Sequence, residues 1–325
     1  MVRGMILGTG RCLPQRVLTN AELEQRVDTS DEWITTRTGI RRRRIAGPGE
    51  TTSHLAAEAA RRALEMAGMS AEEIGLIVVG TISCEIAMPS CACLVQREIG
   101  ARRAFAFDIN AACCGFTYSL DLADRYVRAD PDLKVLVIGA ETLSTRTNWE
   151  DRNTCVLFGD GAGACVVGAG DGEAGVVASR LHADGELWQL LCMEAAPSMN
   201  PDLVRPDNPG PFIQMAGRDV FRHAVRSMAD VVGEVLDAAG IAADDLALVI
   251  PHQANIRIIH ALADRLGLPA DKVCVNVHEY GNTSAASVPI ALDEANRAGR
   301  LAPGDLVLLC TFGAGLTWGA VLYRW

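Results

Sequence analysis

The chain has 325 residues, 49% of them hydrophobic, with a net charge of −10 and an isoelectric point near 5.1, which is enough apolar material for one large core or two ordinary ones and leaves no basic excess for a nucleic-acid partner. The eleven cysteines are odd in number and scattered through apolar runs, so reduced thiols are expected rather than a disulfide framework. No run approaches 18 apolar residues and the opening MVRGMILGTGRCLP makes a poor signal peptide, so a soluble, cytoplasmic protein without a membrane partner is expected.

Residues 5–7 predict a short buried strand ending at Gly8-Thr9-Gly10. Residues 28–34 supply Ser/Asp caps for a short helix that carries Trp33, and the arginine run 41–44 reads as solvated surface. Residues 52–67 place apolar side chains at helical spacing and stop at Gly68; residues 74–80 form the next buried strand. Cys91-Ala92-Cys93 is too tightly spaced for a zinc pair, and no metal is assigned. AFAFDIN (104–110) is strand-like and passes through AACCGF into a helical pattern containing Leu120 and Leu122. A thiol at such an elbow feels the positive end of a helix dipole, which favours the thiolate and nucleophilic attack. The plainer alternative is that Cys113 and Cys114 are small apolar residues filling a core. Residues 195–214, with five prolines, read as an ordered surface loop bordering a site.

The two halves repeat each other. LEMAGMSAEEIGLIVVG (64–80) aligns without a gap against LDAAGIAADDLALVIPH (236–252), the strand before Cys113 has its counterpart in residues 272–277 before Gly281, and FGDGAGACVV (158–167) parallels FGAGLTWGAV (312–321). Self-similarity over this period predicts a duplicated βαβαβ-type unit, an α/β protein whose sheets are covered by helices on both faces in five layers. The boundary is expected at residues 169–172, giving halves of 1–170 and 171–325. Sites in such sheets favour strand ends and domain interfaces, which puts the Cys113 elbow, His252 and Asn282 on loops of one cleft. His252 follows a buried strand and a proline; a satisfied structural histidine would also sit there. Asn282, in GNTSAAS, would serve equally as a turn or cap residue.

AACCGF, PHQANIRII (251–259) and GNTSAAS (281–287) resemble the signature segments of β-ketoacyl-acyl carrier protein synthase III, a thiolase-fold condensing enzyme family, and TSDEWITTRTGIRRRRIA (29–46), WEDRNTCVLFGDGAGA (149–164) and FGAGLTWGA (312–320) extend the likeness along the chain. The resemblance implies a thiolase-like αβαβα fold with two pseudo-twofold halves. It implies Cys113 as acyl-accepting nucleophile, His252 and Asn282 as donors to an enolate, and the backbone N–H groups of Cys113 and Ala314 as an oxyanion hole. Cys114 is read as a packing residue, since neighbours on a helix point about 100° apart. Acyl-CoA and malonyl-acyl carrier protein are the implied substrates, with no other cofactor, in a homodimer. Trp33, Arg37, Arg152 and Asn255 would contact CoA, Met88 would shape an acyl pocket, and Arg222, Arg226, Arg257 and Arg265 would meet an acidic carrier protein. A homologous condensing or acyl-transferring enzyme of secondary metabolism and a catalytically silent acyl-binding subunit are the alternatives.

Overall fold

A computed structural model describes residues 2–170, 172–195, 199 and 210–325. The first half opens with β1 (Gly4–Cys12), then β2 (Arg16–Thr19) and β3 (Arg42–Ile45), a two-stranded pair enclosing α1 (Asn20–Glu24) and α2 (Asp31–Thr38). It continues with α3 (Thr52–Ala67), β4 (Leu76–Gly80), α4 (Cys91–Ile99), β5 (Phe105–Ile109), α5 (Gly115–Ala129), β6 (Val135–Thr142), α6 (Arg152–Cys155) and β7 (Asp160–Ala169). Its sheet has the order β1-β7-β6-β4-β5, with β6, β4 and β5 parallel.

The second half runs β8 (Gly175–Ala183), β9 (Leu191–Met193), β10 (Ile213–Met215), α7 (Gly217–Ala239), β11 (Leu248–Pro251) and α8 (Ile256–Leu266). After these come α9 (Val277–Tyr280), α10 (Ser287–Arg297), β12 (Leu306–Gly313) and β13 (Thr317–Arg324). Here the order is β11-β12-β13-β8, which repeats β4-β6-β7-β1. The duplication is visible in detail: α3 and α7 both stop at a left-handed glycine (Gly68, φ 64°; Gly240, φ 65°), and each is followed by one 3₁₀ turn and a buried strand. We propose that the halves divide between Ala169 and Gly175, where the chain passes from one sheet to the other; Asp171 lies outside the described residues.

Alternation along each strand builds the layers. Ile77 and Val79 pack with Leu55 and Ala59 of α3 on one face, while Leu76 and Val78 pack with Phe116 and Leu120 of α5 on the other. That second cluster continues through Leu292 of α10 to Leu248 and Ile250 of β11. Val249 and Leu308 face outward onto Val232 of α7 and Leu262 of α8. The result is helix, sheet, helix, sheet, helix, the five-layered fold expected. Each such aliphatic side chain contributes about 1.5–3 kcal/mol on burial, and α5 and α10, buried between the sheets, hold the two halves together.

Three local expectations are corrected. β1 does not end at Gly8-Thr9-Gly10 but runs through it: a Cβ on Gly8 would lie 2.4 Å from Ala63 O and one on Gly10 2.3 Å from Ala59 O, so these glycines let α3 lie against the strand. Residues 272–277 form only a single bridge, Val273 to Val249. The Gln253 side chain takes the place of a strand neighbour there, donating to Cys274 O (3.0 Å) and accepting from the N–H groups of Asn276 (2.9 Å) and Val277 (3.2 Å). Within the arginine run, Arg43 is fully buried; its Nη1 donates to Asn20 Oδ1 and Leu18 O and its Nη2 to Val156 O, while its Nε has no partner among the described residues. Of the proline-rich loop, residues 196–198 and 200–209 lie outside the described residues. Among the described residues no helix is long and apolar enough to cross a membrane.

Gly10→Ala is expected to lower the thermal unfolding midpoint, by the equivalent of about 1–3 kcal/mol for forced overpacking against backbone. Gly185→Ala, whose Cβ would meet nothing within 4 Å, leaves the midpoint unchanged.

Candidate active site

β5 delivers the chain to one 3₁₀ turn, Ala112–Cys114, from which α5 departs. The turn is tight enough to hold Ala112 at φ 44°, a left-handed conformation that costs a non-glycine residue about 1–3 kcal/mol. Cys113 opens onto a cleft of about 1070 Å³ that also contains His252 and Asn282. Cys114 turns away, its Sγ donating to Thr317 O at 3.3 Å in the core. Cys113 is therefore the only one of the pair exposed to a ligand. Burial pushes its thiol up to about 12, against the lowering effect of a hydrogen bond with the Ser284 side chain. Desolvation thus works against the thiolate that the elbow favours, while no side chain caps α5 and its first N–H groups stay available.

A second elbow faces the first. Asn282 is followed by the turn Ser284–Ala286 and by α10, with Ser284 at φ 49°. The Asn282 N–H donates to Leu157 O (2.8 Å) and its Oδ1 accepts the Ser284 N–H (2.9 Å). This orients the side-chain amide, leaving Nδ2 as the donor toward the cleft. His252 is anchored by its N–H to Cys310 O (2.8 Å), and its Nδ1 lies 2.6 Å from Ser287 Oγ. That oxygen also accepts the Gln253 N–H at 3.4 Å; with the hydroxyl proton directed to Nδ1, the ring keeps its hydrogen on Nε2. Burial depresses His252 to about 4, which makes it a neutral imidazole and a weak base. Both side chains have their acceptors tied inside the protein and their N–H groups free.

Ala314 lies in the turn between β12 and β13 and lines the same cleft. Thr317 Oγ1 stands 3.1 Å from Ala111 O and 2.9 Å from Ala314 O, tying this turn to the cysteine elbow. A Cβ on Gly313 would sit 2.9 Å from the Cys113 nitrogen, so only glycine allows the approach.

At the mouth, the guanidinium carbons of Arg37 and Arg152 each lie 5.0 Å from the Trp33 ring centroid. Asn255 caps α8 through Oδ1 (2.8 Å from the Arg257 N–H) and donates from Nδ2 to Arg37 O (3.2 Å), leaving one amide proton for a ligand. Arg257 stacks over Phe221 at 5.5 Å and lines the cleft. Arg222 and Arg226 sit on α7 beside Asp219 (2.8 Å) and Asp230 (3.6 Å), and Arg265 ends the neighbouring α8. Met88 stands apart, 86% exposed and outside this cleft. Sequence reading missed Arg218 and Trp188, which line the mouth, because neither belongs to a periodic or motif pattern. It also missed Ser284 and Ser287, although both lie in the quoted GNTSAAS.

Comparison with known proteins places this geometry in context. Residues 107–185 match the family model described as 3-oxoacyl-[acyl-carrier-protein] synthase III, and residues 236–325 match the model for its C-terminal part. A β-ketoacyl-[acyl-carrier-protein] synthase III of Desulfotalea psychrophila is 56% identical over 99% of both chains. The crystal structure of a 3-oxoacyl-[acyl-carrier-protein] synthase III from Aquifex aeolicus superposes with a TM-score of 0.92 at 51% identity, covering 99% of this chain and 100% of that one. The priming β-ketosynthase of the R1128 polyketide pathway also superposes at 0.92, with 39% identity and coverage of 99% and 96%.

Nitrogen-15 NMR of the imidazole is expected to find His252 neutral with its proton on Nε2 from pH 8 down to pH 5, since its folded value lies below that range. Ser287→Ala is expected to mix the two tautomers; an unchanged spectrum would remove the hydroxyl from this role.

Proposed function

The chain belongs to the β-ketoacyl-acyl carrier protein synthase III family, and on that footing we propose that Cys113, His252 and Asn282 carry its chemistry. The enzyme condenses an acyl-CoA with malonyl-acyl carrier protein, releases CO₂ and so starts fatty-acid chains. The observation that carries the residue assignment is the convergence of one thiol and two oriented N–H donors on a single cleft.

The Cys113 sulfur attacks the thioester carbonyl of acyl-CoA. The carbonyl oxygen becomes an oxyanion within reach of the Cys113 and Ala314 N–H groups, and the bond to the CoA sulfur breaks as that sulfur takes the proton that the Cys113 thiol has given up. Malonyl-acyl carrier protein then loses CO₂. The electron pair of the broken C–C bond moves into an enolate, whose oxygen receives hydrogen bonds from His252 Nε2–H and Asn282 Nδ2–H. The enolate carbon attacks the acyl carbonyl, and the Cys113 sulfur departs with its electron pair and takes up a proton from solvent to restore the thiol. A neutral His252 suits this step, because a donor that stays neutral does not bind the carboxylate of the ground state as an imidazolium would.

We assign Trp33, Arg37, Arg152 and Asn255 to the CoA nucleotide and its arm, on the strength of an indole with two cations beside it at the mouth. Arg222, Arg226, Arg257 and Arg265, on two helices packed together, are assigned to the carrier protein. The aspartates beside Arg222 and Arg226 weaken that surface. Met88, exposed and outside its own cleft, supports a homodimer in which it reaches the neighbouring subunit, and a cytoplasmic location follows from the substrates. The higher identity to the synthase III relatives favours fatty-acid initiation over polyketide priming.

Intact-mass measurement after mixing with acetyl-CoA is expected to show one acetyl adduct that is absent in Cys113→Ala. His252→Ala and Asn282→Ala are expected to acetylate and yet lose malonyl decarboxylation by at least about 100-fold, as for loss of an oriented oxyanion donor. Unimpaired CO₂ release in both would refute their roles.

A further inference from the structure

β11, the strand that delivers His252, ends at a proline. Beside it, residues 273–277 begin a parallel ladder: Val273 bridges Val249, and the Cys274 N–H donates to Val249 O at 2.8 Å. The next rung would take a backbone N–H from position 251 to Cys274 O and return the Asn276 N–H to the carbonyl of 251. Pro251 has no N–H to give, so that rung cannot form. The Gln253 carboxamide fills the gap. Its Nε2 donates to Pro251 O (2.8 Å) and Cys274 O (3.0 Å), and its Oε1 accepts the Asn276 (2.9 Å) and Val277 (3.2 Å) N–H groups. Two carbonyls and two N–H groups face one amide, so a single orientation satisfies all four bonds and uses its whole capacity. Gln253 is buried and does not line the cleft.

This inserted amide stands between the two donors of the site. Gln253 adjoins His252 in the chain, and its own N–H donates to Ser287 Oγ (3.4 Å), the oxygen that meets His252 Nδ1. On its other side it holds the start of α9, and only Gly281 separates α9 from Asn282. We propose that Gln253 is a positioning residue for the decarboxylation step: one carboxamide wide, it sets the spacing between the His252 elbow and the Asn282 segment, and with it the spacing of the two N–H groups that receive the enolate oxygen. Such donors act only when preorganised where the charge develops, and a misplacement of about 1 Å can cost about 100-fold. Packing alone does not call for an amide here, because a residue with an N–H at position 251 would close the ladder through the backbone.

Other anchors hold the same segment and define the competing account. The Asn276 side chain donates to Glu294 Oε2 (2.7 Å) and the Tyr280 hydroxyl to Glu294 Oε1 (2.5 Å), both on α10. Asn282 bridges Phe158, its carbonyl accepting the Gly159 N–H at 3.0 Å. Just beyond it, the Ser284 hydroxyl donates to Oε1 of Glu141 (3.2 Å), a buried carboxylate near the end of β6. These bonds fix the segment against α10 and the first half of the chain. The Gln253 bonds are the ones that tie residues 276 and 277 to the strand end carrying His252. If the other anchors suffice, Gln253 contributes stability alone.

This positioning role rests on the assignments of His252 and Asn282 above, and it is tested in the full-length enzyme. Gln253→Met removes the amide at similar length, and Gln253→Glu keeps the shape and the acceptor while losing donor capacity. Single-turnover acetylation by acetyl-CoA is followed by intact mass, and CO₂ release from malonyl-acyl carrier protein by its kcat and KM, well below every unfolding midpoint. Gly10→Ala, less stable but remote from the site, is expected to leave both reactions unchanged. Both Gln253 variants are expected to acetylate within about twofold of wild type and to lose at least about tenfold in kcat for CO₂ release, with KM changed less than about twofold. Equal losses in the two reactions, or CO₂ release at the wild-type kcat, would overturn the role. If Gln253→Met does not fold, Gln253→Glu decides. A second readout needs no substrate: nitrogen-15 NMR of the Asn282 side-chain amide is expected to show its resonance displaced in the Gln253 variants and in place in Gly10→Ala. An unmoved resonance overturns the role as well. A displaced resonance, alongside His252→Ala and Asn282→Ala enzymes that release CO₂ at the wild-type rate, would keep the spacing role and reject the catalytic assignment instead.

Discussion

The structure depends on the close approach of two strained elbows across the seam between its halves. A Cβ on Gly139 would lie 2.1 Å from Ala285 O, one on Gly80 2.5 Å from the Gly115 carbonyl carbon, and one on Gly313 2.9 Å from the Cys113 nitrogen. These glycines remove the side-chain layer that would otherwise separate sheet from elbow. Ala112 and Ser284, at corresponding places in the two halves, accept left-handed backbone so that α5 and α10 can leave at once into the central layer. The cost, about 1–3 kcal/mol at each elbow, is borne by a packed core on all sides.

That proximity also sets the electrostatics. With little water between the elbows, every ionisable group in the seam is pushed toward its neutral form: Cys113 and Glu141 upward, His252 downward. The site therefore disfavours charge, and the oriented N–H groups that face the cleft are what can hold an oxyanion or an enolate there. Hydroxyls do the orienting. Ser287 meets His252 Nδ1, Ser284 holds Glu141, and Thr317 ties the Ala314 turn to the cysteine elbow.

Much of this was legible in the order of residues, and the misses share a cause. The helix over 52–67 ends at Gly68 as its pattern requires, because the stop is a local backbone preference. Gly8 and Gly10 misled because a glycine that ends a strand and one that admits a helix look alike until the helix is in place. Residues 272–277 alternate like a strand, yet the Gln253 side chain satisfies their backbone instead. Arg43 carries a charge that composition assigns to the surface, and only three convergent acceptors make its burial tolerable.

The sequence by itself determined the duplicated α/β architecture and the three segments around Cys113, His252 and Asn282, since periodicity, glycine stops and long motifs are properties of neighbours along the chain. Tertiary structure alone decided the protonation of those groups and the place of Glu141. Burial and hydrogen-bond partners come from residues far apart along the chain, 143 positions in the case of Glu141 and Ser284. No local pattern encodes which hydroxyl will meet which carboxylate once two elbows are pressed together.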